Sequence, residues 1–315
     1  MGCVNDVSGL KTVLRELQAA GAIDVHERVE LRAWTTLRVG GPTDLMIRCN
    51  SVAAVSEVLD LLASRGQRYF ILGAGSNVVL PDEGLRIPVL TLGGELSRWE
   101  IDLDGVVCGA GANLTQVCRS VARAGLSGIE QLFGVPGSVG GAIVMNAGAY
   151  GVEIFDVLEW VEIVRPGEGV RLVPARTIVH GYRFTHLDRR AGIVVRARLS
   201  LEPDDLSAIG ARIREINVRR REKLPSQSSA GSVFKNPPDR HAGALLEAAG
   251  CKGLRVGGAQ VSDRHANVIV TSRGASAADL LSLARKMRGA VAEKFGIELE
   301  PEVRFLAPSG SRIDL

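Results

Sequence analysis

Gln131-Leu132-Phe133-Gly134-Val135-Pro136-Gly137-Ser138-Val139-Gly140-Gly141-Ala142-Ile143-Val144-Met145-Asn146-Ala147-Gly148-Ala149-Tyr150-Gly151-Val152 carries no charged side chain. A run of that length could cross a bilayer, which takes about 20 apolar residues. Its composition argues otherwise, because six glycines with Pro136 and Asn146 would make a poor lipid-facing helix and a good buried loop. Such a density of small residues lets a chain lie flat against an extended ligand while offering it backbone amides. A flexible spacer is excluded by Ile143, Val144, Met145 and Tyr150, which are apolar and specific.

A second glycine loop lies upstream. Residues 69–72 form an apolar run that reads as a strand, and Gly73-Ala74-Gly75-Ser76-Asn77 follows it directly. Two glycines with small polar neighbours let N–H groups approach a phosphate. Taken alone, the loop reads more readily as an ordinary tight turn. It is not the dinucleotide fingerprint G-x-G-x-x-G, because the third glycine position holds Val78.

Around these loops the pattern alternates helix and strand. Residues 8–20 place Leu10, Val13, Leu14 and Leu17 on one helical face; residues 51–65 do the same with Val52, Val55, Val58, Leu59 and Leu62 behind a Ser51 cap. From Val106 a strand runs to Cys108, turns at Gly109-Ala110-Gly111, and enters a helix capped by Asn113 that faces Leu114, Val117, Cys118 and Val121 inward. Residues 157–164 and 193–201 are β-rich and flank a turn-laden segment. Leu206, Ile209, Ile213 and Ile216 define a helix that stops before Pro225. Residues 241–250, 266–271 and 276–295 read helix, strand, helix, and a final strand is expected over 297–306. Without a strict βαβ repeat the class is α+β. The expected divisions are an amino-terminal helix at 1–26, subdomains at 27–93 and 94–202, a further domain at 203–298, and a terminal strand and tail at 299–315.

The 315 residues suffice for two or three cores. Charge is nearly balanced, 38 basic against 35 acidic, and aromatics make up only 4%, so neither nucleic acid nor an anionic membrane is an expected partner. The run Arg219, Arg220, Arg221 reads as a solvated helix face. Five scattered cysteines, Cys3, Cys49, Cys108, Cys118 and Cys251, contain no C-x-x-C pair, which points to a reducing compartment and no metal site. The amino terminus lacks a secretory signal; Gly2 resembles a myristoylation start, but Asp6 stands where Ser or Thr is wanted. A cytoplasmic protein, monomeric or weakly homo-oligomeric, is expected.

Two further segments hold candidate chemistry. Ala230-Gly231-Ser232-Val233-Phe234-Lys235-Asn236-Pro237 reads as an exposed turn; G-x-S-x-G would need glycine where Phe234 stands, so Ser232 is no hydrolase nucleophile. In Leu299-Glu300-Pro301-Glu302-Val303-Arg304-Phe305 a charged pair brackets a β-rich tail, and edge solvation would explain it.

Together and in order, these segments resemble the UDP-N-acetylenolpyruvoylglucosamine reductase family from about residue 34 to residue 306. The likeness also rests on Thr35-Thr36-Leu37-Arg38-Val39-Gly40-Gly41-Pro42, on Gly181-Tyr182-Arg183-Phe184-Thr185, and on Gly257-Gly258-Ala259-Gln260-Val261-Ser262-Asp263-Arg264-His265-Ala266-Asn267. The resemblance implies a flavin-binding fold of the vanillyl-alcohol-oxidase kind, two α+β subdomains clasping FAD, with a separate α+β substrate domain. Gly73, Ala74, Gly75, Ser76 and Asn77, with Gly134, Val135, Pro136, Gly137 and Ser138, would hold the pyrophosphate. Asn146, Ala147 and Gly148 would line the same cleft, and Gly40 and Gly41 would complete the first subdomain.

By the same resemblance, hydride passes from NADPH by way of FAD to the vinyl carbon of UDP-N-acetylglucosamine enolpyruvate, leaving an enolate-like charge that needs stabilisation and a proton. Arg183 carries over as the cation on the substrate carboxylate, Glu302 as its acidic partner and Ser232 as the proton donor. Whether Lys235, Arg183 or a water stabilises the serine alkoxide stays open. Tyr182, Lys223, Lys235 and Asn236 match substrate-contacting positions, and His265 falls nearby, with surface or core packing as its alternative. Thr185 stands where relatives often have Ser. Arg183 and Ser232 lie only 49 residues apart, which fits the branch lacking a substrate-covering tyrosine loop. An FAD-dependent oxidase of the same fold would have no reason to keep Arg183, Ser232 and Glu302 together, and a non-catalytic sensor would lose the acid.

Overall fold

The computed structural model describes residues 7–187 and 192–315; Met1, Gly2, Cys3 and Asp6 lie outside the described residues. The chain divides into two compact units, one of Met1–Glu27, Leu45–Gly73 and Pro88–Asn217, the other of Arg28–Asp44, Ala74–Ile87 and Val218–Leu315.

In the first unit, α1 (Val7–Ala19) buries Leu10 and Leu14, and α2 (Val52–Ser64) buries Val55, Val58, Leu59 and Leu62. Ser51 caps α2 as the sequence predicts, its Oγ accepting the Ala54 amide at 3.1 Å. These side chains share a core with Leu45, Ile47 and Leu90 of a sheet ordered Ile23–Glu30, Pro42–Cys49, Val89–Leu92, Phe70–Ile71. A second core lies under α3 (Leu114–Arg123), where the Asn113 side chain accepts the Gln116 amide at 3.0 Å and the four predicted residues are buried. Each such buried aliphatic side chain contributes about 1.5–3 kcal/mol.

The sheet over this core is antiparallel, ordered Gly169–Pro174, Leu158–Arg165, Ile193–Ser200, Gly105–Gly109, Trp99–Ile101. The turn-laden segment thus also contributes the edge strand Gly169–Pro174. Its Val170, Arg171 and Leu172 all face solvent to some degree, so no hydrophobic alternation announced it. The stretch expected to be loop from 134 to 151 also holds a helix, α4 (Val139–Val144). Ser138 Oγ accepts the Gly141 amide at 3.2 Å, and Val139, Ala142 and Ile143 enter the core. In α5 (Leu206–Lys223) Ile209 and Ile216 are buried, whereas Leu206, expected to face inward, is 59% exposed on the first turn.

The second unit carries the sheet Ser229–Ser232, Val268–Thr271, Ala259–Val261, Arg255–Val256, with α6 (Ala242–Ala248) and α7 (Ala277–Phe295). Phe234, Leu246, Leu283, Met287 and Val291 build its core. Asp82 accepts the Ala277 and Ala278 amides at 2.8 and 3.1 Å, placing a carboxylate on the positive end of α7. The final strand shrinks to Arg304–Phe305, paired in parallel with Val78–Val79. Pro301 has no N–H to give, and the Glu302 and Val303 amides both point at the Val233 carbonyl, so no regular ladder extends upstream. The Ser232 segment is likewise a bulged strand rather than an exposed turn, with Val233 and Phe234 buried behind it. Among the described residues no helix is long and apolar enough to cross a membrane. The α+β class is as expected.

Candidate active site

In the first unit Gly73 packs against Ser138. A Cβ at Gly73 would lie 2.7 Å from Ser138 Oγ, so glycine is what lets the chains approach. Among the described residues, the amides of Gly73, Gly137 and Ser138 in this unit have no protein acceptor, and the same holds by itself for Ala74, Gly75, Ser76 and Asn77 in the second unit. Unpaired backbone donors next to two close-packed turns suit an anion such as a pyrophosphate. The rest of the expected cradle is engaged otherwise: the Val135 amide donates to Leu132 O at 3.0 Å, Pro136 has none, and the first amides of α4 go to Ala112 O, Ala110 O and Ser138 Oγ.

Arg183 sits in the two-residue turn of the hairpin His180–Gly181 and Phe184–Thr185. Its φ is 55°, its Nη2 donates to Gly148 O at 2.8 Å, and its guanidinium lies 5.0 Å from the centre of the exposed Tyr182 ring. Thr185 Oγ1 donates to Val144 O at 2.7 Å, so the extra methyl relative to serine is accommodated in a buried position. Asn146, expected to line the cofactor cleft, is fully buried. Its Nδ2 donates to Glu153 Oε2 at 2.6 Å and Gly181 O at 3.0 Å, which leaves its side chain turned inward. Ala147 and Gly148 follow it half-buried.

In the second unit, three segments converge. The Glu302 amide donates to the carbonyl of Val233, the residue after Ser232, at 2.8 Å, and Asn77 Nδ2 donates to Glu302 O at 3.2 Å. Ser232 and Glu302 are both half-buried. Lys235 Nζ is 2.6 Å from Glu300 Oε1, and Asn236 Oδ1 accepts the Ala242 amide, so both side chains already have structural partners. Lys223 is exposed at the end of α5. His265 Nδ1 accepts the Asn267 amide at 3.2 Å; burial, then the charge of Lys252, and less strongly Lys223, hold its pKa below the usual 6.5. It is therefore neutral at pH 7. Gly40 and Gly41 are buried, and a Cβ at Gly41 would fall 2.0 Å from Asp82 O, so close chain packing calls for glycine there.

Two acids bounding the charge-free stretch escaped the sequence reading. Glu130 is 3% exposed and accepts from Ser127 Oγ, the Gly128 amide and Arg212; Glu153 holds Asn146. The signal was present, since an uncharged run flanked on both sides by glutamate is unusual in a chain that is 23% charged.

Residues 43–172 match the FAD binding domain family, and residues 223–306 match the family described as UDP-N-acetylenolpyruvoylglucosamine reductase, C-terminal domain. UDP-N-acetylenolpyruvoylglucosamine reductase from Bacillus velezensis is 35% identical over 94% of this chain and 99% of its own. The chain belongs to the UDP-N-acetylenolpyruvoylglucosamine reductase family. A second reductase of that name, from Symbiobacterium thermophilum, is 41% identical over 87% of this chain and 89% of its own. The crystal structure of the Thermus caldophilus reductase superposes with a TM-score of 0.79 at 38% identity, covering 90% of this chain and 99% of that one. A family that binds FAD must hold a pyrophosphate, and unpaired backbone amides are donors of the kind that suits one.

Proposed function

We propose that this chain reduces UDP-N-acetylenolpyruvoylglucosamine to UDP-N-acetylmuramate in the cytoplasm, as a monomer or weak homo-oligomer, using FAD and NADPH. FAD, reduced by NADPH, supplies the hydride. The amides of residues 73–77 and of Gly137 and Ser138 bind its pyrophosphate, while Tyr182, Lys223, Lys235, Asn236 and His265 serve the nucleotide-sugar. Arg183 stabilises the negative charge that develops beside the substrate carboxylate, a task suited to a planar guanidinium that cannot deprotonate. Ser232 gives its hydroxyl proton to the enolate-like carbon, and Glu302 is the acidic partner.

The observation that supports this reading best is the hydrogen-bond chain from Asn77 through Glu302 to Val233. It ties a flavin-loop residue to the strand of the proton donor and to the acidic tail, three segments that an oxidase of the same fold would have no reason to join. The test separates the half-reactions by stopped flow. In Ser232→Ala, flavin reduction by NADPH survives and reoxidation by substrate slows by about 10²-fold or more. Equal slowing of both removes Ser232 from the acid role.

A further inference from the structure

Arg183 and Asn146 both stand in the left-handed region, at φ 55° and 42°. Asparagine tolerates that region; arginine gains nothing from it. A bulky residue persists there when its surroundings over-determine the geometry. Those surroundings are on one side of the hairpin. Asn146 Nδ2 grips the Gly181 carbonyl, two residues before Arg183, at 3.0 Å. Thr185 Oγ1 grips Val144 O at 2.7 Å two residues after it, and Arg183 Nη2 closes on Gly148 O at 2.8 Å. The stretch 144–148 therefore holds the hairpin on both strands and at its tip.

Asn146 in turn is fixed from behind. Its second Nδ2 proton goes to Glu153 Oε2 at 2.6 Å, and its Oδ1 accepts the Phe155 amide at 3.4 Å. An amide with both N–H groups and its oxygen engaged in a buried site has one orientation only. The glutamate also folds over Gly148: a Cβ there would meet Glu153 Cγ at 2.9 Å and Arg183 Nη1 at 3.3 Å. Glycine at 148 leaves the space in which carboxylate stem and guanidinium flank one backbone carbonyl.

We propose that Glu153 and Asn146 are positioning residues for Arg183. Glu153 orients the Asn146 amide, the amide holds the Gly181 carbonyl, and the turn then presents the guanidinium in a conformation its own backbone disfavours. This rests on the role proposed above for Arg183. The Asn146 side chain spends its hydrogen-bonding groups on Glu153, Gly181 and Phe155, so it acts through the turn.

The test is a double-mutant cycle on the flavin-loaded enzyme, with NADPH reduction and substrate-driven reoxidation of the flavin measured separately. Glu153→Ala slows reoxidation about 10- to 100-fold, the range expected for a misplaced but intact catalytic group, and leaves reduction by NADPH within about twofold. Glu153→Gln, which keeps an oxygen acceptor for Asn146, restores most of the rate. In an Arg183→Ala background, Glu153→Ala has no further effect on reoxidation. If the two losses multiply instead, or if both half-reactions slow together, the clamp is overturned while the role of Arg183 stands. If Arg183→Ala alone leaves reoxidation unchanged, the reading of Arg183 fails and the clamp with it. Should Glu153→Ala not fold, Glu153→Asp withdraws the acceptor by one methylene and runs through the same cycle.

Discussion

Gly73 and Ser138 offer a test of the loop packing by an energy that should not add. Gly73 is not among the positive-φ glycines, so alanine carries no backbone strain there, and the whole effect of Gly73→Ala is the methyl group. That methyl would lie 2.7 Å from Ser138 Oγ but 3.8 Å from Ser138 Cβ, an ordinary contact. The hydroxyl must therefore rotate away, and in doing so it abandons the Gly141 amide that it holds at 3.2 Å at the start of α4. Loss of an N-terminal cap of this kind costs about 1 kcal/mol. Ser138→Ala removes the same cap directly and should also cost about 1 kcal/mol. In the double variant the cap is lost once and nothing clashes, so the total is again about 1 kcal/mol and the coupling about 1 kcal/mol. Equilibrium urea unfolding of the four proteins, with and without added FAD, measures all of it. A double variant that loses the sum, about 2 kcal/mol, would refute the shared contact and with it the close approach of the two loops.

Two other outcomes are expected. Burial alone would raise the Glu130 carboxyl, but the Gly128 amide, the Arg212 guanidinium and the Ser127 hydroxyl outweigh it and hold the pKa below its ordinary 4.5. Its stabilisation is thus present above pH 4.5 and lost as pH falls through the lower folded value. Glu130→Gln should cost about 2–3 kcal/mol at pH 7, reduced from the fully buried case because Arg212 is partly exposed and keeps Asp204. The gap between variant and parent should narrow near pH 3; a gap constant with pH would show that the charge is not what matters. Burial likewise pushes the thiols of Cys49, Cys108 and Cys118 up to about 12, and raises Cys251. In a Cys3→Ser variant, a disulfide reagent at pH 8 should find no reactive thiol until denaturant is added.

Helices were legible because their signals are local. Ser51 and Asn113 lie next to the apolar periodicity they cap, and both cap as read. Strands were legible only when buried on a patterned face. Gly169–Pro174 was hidden by its solvent-facing side chains, and the tail strand was over-read across Pro301 because the doubly used Val233 carbonyl is invisible without the partner segment. The glycine loops show the same division. Density of glycine marks these stretches in the sequence, but what each glycine packs against, Asp82 for Gly41 and Ser138 for Gly73, is set by distant residues and not by the glycines.

The two glutamates at the ends of the charge-free run join these observations. A cradle of unpaired amides attracts any carboxylate within reach, so a flavin site built from backbone donors must keep its own acids away from them. Glu130 is turned onto Arg212, a residue 82 positions away, and Glu153 onto Asn146. Each acid thus has protein partners of its own and anchors one end of the stretch. Glu130 fixes the approach to the loop of Gly137 and Ser138, and Glu153 fixes the side that carries Arg183. The absence of charge between residues 131 and 152 suits the anion site proposed at Gly137 and Ser138, with the nearest carboxylates placed where other protein groups neutralise or orient them.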